Sequence, residues 1–183
     1  MNSNELKVEW KRADNYKYNN KYNKKKRQAI VDDAISILGI ERSMMLCIEE
    51  ISELIDVIVV NMTGKVDYLH TVEEIADVKI TSQYIKTICN IDDKDIKPYK
   101  KKKTNKNRIF ATISSLAHTQ QMINKYLRGK KDRHEKIINA YNKLIADIII
   151  LEKFFKIKDK DVEKMMNIKM HRMEERIIYN TLD

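Results

Sequence analysis

The scarcity of glycine and proline is the feature that most constrains the fold of this chain. Only three Gly and one Pro occur among its 183 residues. β-Sandwiches, barrels and propellers need many tight turns, and those turns depend on these two residues. The length is enough for one well-packed domain, or for two small ones that share a core. We therefore expect an all-α protein.

Apolar residues recur at spacings of three and four, which is typical of amphipathic helices. The helices expected from this spacing cover residues 28–39, 43–64, 71–90, 109–127, 134–155 and 159–179. Gly39 and Gly64 are the predicted stops of the first two helices. Thr71 is predicted to begin the third helix, because Thr71 and Glu74 fit a capping box.

Several other classes of protein are excluded by composition. The longest obvious apolar run, Ile148 to Leu151, is far shorter than the roughly 20 residues that span a bilayer. The N-terminus does not resemble a signal peptide. Cys47 and Cys89 provide neither a disulfide framework nor a set of zinc ligands. We expect a soluble, cytoplasmic protein that does not bind membranes.

The net charge of +9 allows a polyanionic partner but does not indicate one. Many of the cations lie in residues 24–27 and 97–106, and such a run of like charge is usually a solvated face or a tail. Residues 1–27 are predicted to form a polar, basic N-terminal arm. Binding of nucleic acid through the Lys-rich segments is kept as an alternative function.

The later helices repeat the pattern of the earlier ones. Residues 109–129 align with 44–64 without a gap, and 157–162 align with 91–96. The period of about 65 residues is longer than the roughly 20–50 of a solenoid unit. In both copies an aspartate-rich segment begins a third helix, which Pro98 limits in the first copy. Two degenerate copies predict a helical bundle packed as a pseudo-dimer.

The predicted division of the chain follows from this repeat. The arm is followed by a first repeat over residues 28–108 and a second, degenerate repeat over 109–183, and both belong to one globular domain. The sequence leaves open whether two chains associate as a homodimer.

Four acidic residues are spaced to converge on one pair of helices. Glu50 and Glu53 are three residues apart, as are Glu74 and Asp77, so each pair projects from one helix face. The intervening segment allows the chain to turn and return antiparallel. Anions gathered beside an apolar stripe repel one another and lose hydration, which a divalent cation would relieve. Ligands that are all oxygen favour Mg²⁺ or Mn²⁺. For any single glutamate, a solvated helix face is the simpler interpretation.

The acidic motif carries a family resemblance. Glu49-Glu50-x-x-Glu53, followed by Glu74-x-x-Asp77, resembles the signature of the MazG-like, all-α nucleoside triphosphate pyrophosphohydrolases, a superfamily related to dimeric dUTPases. The similarity covers residues 30–108 well and 109–178 as a weaker second copy.

The resemblance implies a function and a cofactor. Members of the family hydrolyse the α–β phosphate bond of an NTP or dNTP, giving the monophosphate and pyrophosphate. Glu50, Glu53, Glu74 and Asp77 would bind Mg²⁺, or Mn²⁺ as a substitute, and the ion would hold the triphosphate. Glu49 or Glu53 would orient the attacking water or accept its proton, and the sequence does not choose between them.

Basic residues follow the acidic motif at about the distance where such enzymes place phosphate ligands. The candidates for substrate binding are Lys103, Lys106 and Arg108 in the first repeat, and Lys169, Arg172 and Arg176 in the second. For each cation alone, a plain surface role is the simpler interpretation.

The second copy departs from the motif. Ser114, Ser115 and His118 stand where the first copy has Glu49, Glu50 and Glu53. Asp147 resembles Asp77 if a gap is allowed, and the alternative register places Lys143 near that position. We therefore expect one metal site per chain, with the degenerate repeat walling the pocket.

Two further functions are weighed against hydrolysis. One is a nucleotide-binding or sensing protein that kept the site without its activity. The other, a di-iron bundle, is disfavoured because that chemistry needs Glu-x-x-His pairs, which are absent from the acidic helices.

Overall fold

The computed structural model describes residues 7–8, 10–11, 22–64, 66–98, 104–129 and 134–182. Five long α-helices make up most of this part: α1 (Lys24–Thr63), α2 (Tyr68–Ile88), α3 (Lys106–Leu127), α4 (His134–Phe154) and α5 (Asp159–Ile178). The described ranges contain no β-strand, which confirms the all-α prediction for them. Within them, no helix combines the length and the apolar character needed to cross a membrane.

Helix α1 consists of two helical halves that meet at Gly39, where the sequence predicted a stop. Gly39 has a φ of 79° and a ψ of 165°, a conformation that other residues rarely adopt. The Ser43 hydroxyl donates a hydrogen bond to the Gly39 carbonyl at 2.8 Å. At the other end, the Asn23 side chain accepts from the backbone N–H of Lys26, so the helix begins at Lys24 rather than at residue 28.

The predicted capping box at Thr71 is wrong. Helix α2 begins at Tyr68, because the Asp67 side chain caps it by accepting from the backbone N–H of His70. Thr71 is buried inside the helix, where its hydroxyl donates to the Asp67 carbonyl and accepts from the amide of Asn61. Glu73 and Glu74 consequently lie in the second turn of α2 rather than the first.

The aspartate-rich segment before Pro98 forms a 3₁₀ turn, Asp93–Asp95, and not the expected longer helix. Proline cannot continue a helix, because it lacks the N–H donor. The segment is tied to α4 through Asn142, whose side chain accepts from the Lys97 backbone N–H at 2.7 Å and donates to the Asp95 carbonyl at 2.9 Å. Residues 95–98 therefore lie along α4.

Most of the predicted N-terminal arm lies outside the described residues. Two of its described residues lie against α5: the Tyr22 hydroxyl donates to Glu174 at 2.7 Å, and the ammonium group of Lys164 is 4.0 Å from the centre of the Trp10 ring. Tyr22 is buried, with 4% of its surface exposed.

Helix α2 occupies the centre of the bundle. It packs against α1, α5 and α4, while α3 pairs with α4 and also contacts α1. All residues from Thr71 to Ala76 are buried. Glu73 and Glu74 are each only 4% exposed for this reason, although they are charged residue types. The fold thus draws two carboxylates into the bundle, where they need partners.

Candidate functional site

A cleft of about 860 Å³ opens between the second half of α1, helix α2 and helix α5. We call it the acidic cleft. Its carboxylates are Glu50 and Glu53 from α1, Glu73, Glu74 and Asp77 from α2, and Glu175 from α5. Clefts of roughly 300–1,000 Å³ commonly bind small molecules, so this one is large enough for a nucleotide.

Hydrophobic packing of the two acidic helices directs their carboxylates into the cleft. Ile51 and Leu54 of α1, like Ile75 and Val78 of α2, are at most 1% exposed. Each acidic pair flanks these apolar residues in sequence, so burying the apolar stripes turns the acids towards the shared cleft. The predicted antiparallel return of α2 along α1 therefore brings the two acidic segments together.

Three of the four predicted metal ligands converge closely. Glu50, Glu74 and Asp77 each offer an oxygen atom, and these atoms lie within 4.8 Å of one another. Oxygens on opposite sides of a Mg²⁺ ion lie about 4.2 Å apart, so the spacing is close to that of one coordination shell. Glu53 lines the same cleft but is exposed and lies outside this group of three.

The charges of these carboxylates are strongly disfavoured without a cation. Burial, together with the negative charges of Asp77 and Glu53, raises the pKa of Glu50 to about 8. The same causes raise the pKa of Glu74 to about 8, and burial also raises the pKa of Asp77.

Glu74 also has a polar atom that no described residue satisfies. Its Oε1 lies 3.1 Å from His70 Nε2, whereas its Oε2 is buried without a hydrogen-bond partner among the described residues. Buried polar atoms without a partner are rare in native proteins. A divalent cation bound by Glu50, Glu74 and Asp77 would supply the missing partner, and their all-oxygen donor set fits Mg²⁺ or Mn²⁺.

Lys169 of α5 forms ion pairs with two carboxylates of the acidic cleft. Its ammonium group lies 2.9 Å from Glu73 Oε1 and 2.5 Å from Asp77 Oδ2. Burial lowers the pKa of Lys169, but the carboxylates of Asp77 and Glu73 outweigh that effect and raise it. Lys169 thus balances part of the acidic charge, and the pKa values of Glu50 and Glu74 stay raised despite its presence.

The predicted basic residues divide into two groups. Lys169, Arg172 and Arg176 all line the acidic cleft from α5. Lys106 and Arg108 lie in the first turn of α3; Lys106 is exposed, and Arg108 lines a separate cleft between α3 and α4. Neither residue lines the acidic cleft, because α3 packs mainly against α4. The Lys103 prediction falls outside the described residues.

Two glutamates differ from their predicted roles. Glu49 is exposed and does not line the acidic cleft, so of the two predicted catalytic residues only Glu53 faces it. Glu73, which we did not predict as a site residue, lines the cleft and pairs with Lys169. A spacing of four residues from Asp77 was the signal that could have identified Glu73.

No family model, curated protein or solved structure matches this chain. The functional assignment accordingly rests on the chemistry of the acidic cleft.

The metal-free protein is expected to lose stability as the pH rises from about 5 to about 8, because the folded-state pKa of Glu74 is raised from 4.5 to about 8. In that window the folded state binds more protons than the unfolded state, so the free energy of unfolding falls with increasing pH. The same holds for Glu50. Urea unfolding in EDTA, measured across this range, tests the expectation.

The matched variant for this measurement is Glu74→Gln. It removes one titrating group, so its unfolding free energy should depend less steeply on pH than that of the wild type. The contrary result is a free energy of unfolding that stays constant or increases from about pH 5 to about pH 8 in the wild type and has the same slope in the variant. It would show that the carboxylates are not buried together.

Proposed function

We propose that this protein is a Mg²⁺-dependent nucleotide pyrophosphohydrolase that cleaves the α–β phosphate bond of an NTP or dNTP. The observation that carries the proposal is the convergence of Glu50, Glu74 and Asp77 on one point, opposite a helix that presents three cations to the same cleft. Carboxylates that can hold a divalent ion and cations that can hold phosphates are the two groups that hydrolysis of a phosphoanhydride requires.

The metal would be held by Glu50, Glu74 and Asp77. A bound Mg²⁺ ion neutralises phosphate charge and lowers the pKa of an attacking water. The raised pKa values of Glu50 and Glu74 support this assignment, and so does Oε2 of Glu74, which lacks a hydrogen-bond partner in the part of the chain that the structure describes. Both are features of carboxylates that need a cation.

Glu53 is the residue that we assign to proton transfer. It lies on α1 one turn from Glu50, lines the cleft and is exposed, so it can contact a water molecule without being committed to a buried ion pair. A positioned carboxylate that accepts the proton of the attacking water is a standard general base. Glu49 is turned away from the cleft lining and has no such position.

The α5 cations would bind the phosphate chain. Lys169, Arg172 and Arg176 are three and four residues apart and therefore share one face of the helix. Arginine binds phosphate oxygens in a bidentate manner, and lysine binds them as a point charge. Leu46, Met173 and other apolar residues of the same cleft offer a surface for the base.

The pseudo-dimer arrangement belongs to the same proposal. The second half of α1 pairs with α2 as α3 pairs with α4, which is the pairing that a duplicated MazG-like unit requires. Helix α5, from the second repeat, packs on α2 and walls the acidic cleft of the first repeat. The degenerate repeat would thereby supply phosphate contacts to the site formed by Glu50, Glu74 and Asp77.

A screen for pyrophosphate release tests the function. Purified protein with Mg²⁺ is incubated with the ribo- and deoxyribonucleoside triphosphates, and pyrophosphate and monophosphate are quantified. The proposal predicts equal amounts of both products from at least one nucleotide, and no release in EDTA. Absence of turnover on the whole panel, with nucleotide binding retained, would instead support the alternative of a sensing protein.

A further inference from the structure

A second cleft, of about 630 Å³, lies between α3, α4 and the segment that Asn142 ties to α4. Its lining differs from that of the acidic cleft in charge. Its lining among the described residues includes three cations, Lys97, Arg108 and Lys143, and one carboxylate, that of Asp147.

Two residues that line the second cleft each have a buried polar atom with no hydrogen-bond partner among the described residues. Asp147 is 4% exposed, and its Oδ2 has no hydrogen-bond partner in the described part of the chain. Its Oδ1 lies 3.5 Å from the Thr112 hydroxyl. The Nε of Arg108 is likewise buried and unpaired within the described residues. An unsatisfied buried donor or acceptor costs about 1–3 kcal/mol, so a ligand that paired with either atom would remove that cost.

The electrostatics of Asp147 agree with this geometry. Burial raises its pKa to about 6, against the opposing effects of the nearby Ser115 side chain and the Arg108 charge. Arg108 is thus close enough to act on the carboxylate electrostatically, yet its Nε forms no hydrogen bond with it. Both residues line the second cleft, so a ligand bound there can lie against both of them.

The second cleft corresponds to the acidic cleft through the internal repeat. When residues 109–129 are aligned with 44–64 without a gap, Ser115 occupies the position of Glu50, and Arg108, just before this segment, that of Ser43. In the register that aligns Asp147 with Asp77, Lys143 stands for Glu73. One carboxylate is kept, and the other equivalent positions are neutral or cationic. This arrangement disfavours a divalent cation and favours an anion directly bound by side chains.

We propose that the second cleft is a metal-independent site for a phosphate monoester whose organic part carries a hydroxyl or amino donor. The phosphate would be bound by Arg108 and Lys143, and the donor group would satisfy Oδ2 of Asp147. Lys143 is exposed at the mouth of the cleft, and Lys97, whose ammonium group donates to the Asn139 side chain at 3.3 Å, adds positive charge there. Nucleoside 5′-monophosphates and sugar phosphates have this chemistry, whereas inorganic phosphate lacks the organic donor.

The site does not depend on the proposed hydrolytic function. Its residues come from α3, α4 and residues 97–98, and none of them lines the acidic cleft. Binding here and turnover there can therefore be measured and lost separately.

Calorimetric titration in EDTA tests the proposal. The probes are AMP, GMP, CMP, UMP and glucose 6-phosphate, with inorganic phosphate for comparison. The wild type is expected to bind at least one monoester with a Kd below about 1 mM, and more tightly than it binds inorganic phosphate. Lys143→Glu should weaken that binding by at least about tenfold, and Arg108→Ala should weaken it similarly.

Two controls separate this site from general charge effects and from the acidic cleft. Lys160→Glu reverses a charge at an exposed position of α5 that lines neither cleft, so binding should be unchanged. Glu53→Gln should also leave it unchanged. Lys143→Arg keeps the positive charge and should retain binding. Retained binding would show that the loss in Lys143→Glu is caused by the change of charge and not by a change in the fold.

Two results would overturn the proposal. One is the absence of measurable binding by all five monoesters. The other is wild-type binding in Lys143→Glu and Arg108→Ala, which would place the ligand elsewhere. Circular dichroism of each variant establishes that it is folded, and pyrophosphate release, assayed separately, reports on the acidic cleft alone.

Discussion

Glu53→Gln is expected to reduce pyrophosphate release by at least about 100-fold, the lower end of what general base catalysis contributes. Glutamine keeps the size of the side chain and removes its ability to accept a proton. Glu53 is exposed, so the substitution should leave the fold intact. Mn²⁺ binding should largely persist, because the converging carboxylates are those of Glu50, Glu74 and Asp77. Turnover and metal affinity are measured on the same preparation.

Glu49→Gln is the matched control for this variant. It makes the same chemical change on the same helix, at an exposed position outside the cleft lining. Its activity should stay within about twofold of the wild type, since a surface charge one turn away acts only weakly in water. Equal losses in both variants would contradict the assignment of the proton-accepting role to Glu53.

Lys169→Met is expected to destabilise the metal-free protein by about 3 kcal/mol at pH 8, because removing one partner of a buried ion pair leaves the other charges uncompensated. Lys169 contacts both Glu73 and Asp77, so the variant leaves two buried carboxylates without their cation. Millimolar Mg²⁺ should restore much of this stability, since the ion supplies positive charge to the same group of acids. Urea unfolding with EDTA and with Mg²⁺ measures both effects.

Lys79→Met provides the comparison for the effect of Mg²⁺. Lys79 also lies on α2. Its ammonium group is 2.5 Å from Glu152 Oε1, and it does not line the acidic cleft. Its loss should destabilise the protein equally with and without Mg²⁺. If Mg²⁺ stabilised both variants to the same extent, the ion would not compensate for the lost charge of Lys169.

The helices could be predicted largely from local signals. Apolar spacing and Gly39 are properties of short segments, and the structure has a bend at Gly39 and helices close to the expected bounds. Helix starts were less predictable where two caps compete. Asp67 and Thr71 are both good N-cap residues. Asp67 caps the helix because Tyr68 and Leu69 pack against the core, and the earlier start brings both into α2.

The candidate site was predictable only in its local part. The spacing of Glu50 from Glu53 and of Glu74 from Asp77 places each pair on one helix face, and that information is in the sequence. The ion pair of Lys169 with Glu73 joins residues 96 positions apart and depends on how α5 packs against α2. No sequence pattern specifies that contact.

The position of Arg108 shows the same limitation. Its distance from the acidic motif along the chain was compatible with a phosphate ligand of that motif. Helix α3, however, pairs with α4, and this pairing places Arg108 in the second cleft. Proximity in sequence was therefore a poor guide to proximity in the bundle.

Direct measurement of Mn²⁺ binding by electron paramagnetic resonance tests most directly whether the two acidic helices form a divalent-cation site. We expect one bound ion per chain, at least about tenfold weaker binding in Asp77→Asn, and unchanged binding in Asp147→Asn, which makes the same substitution in the second cleft. Absence of bound Mn²⁺ in the wild type, or equal affinity in wild type and Asp77→Asn, would contradict this expectation.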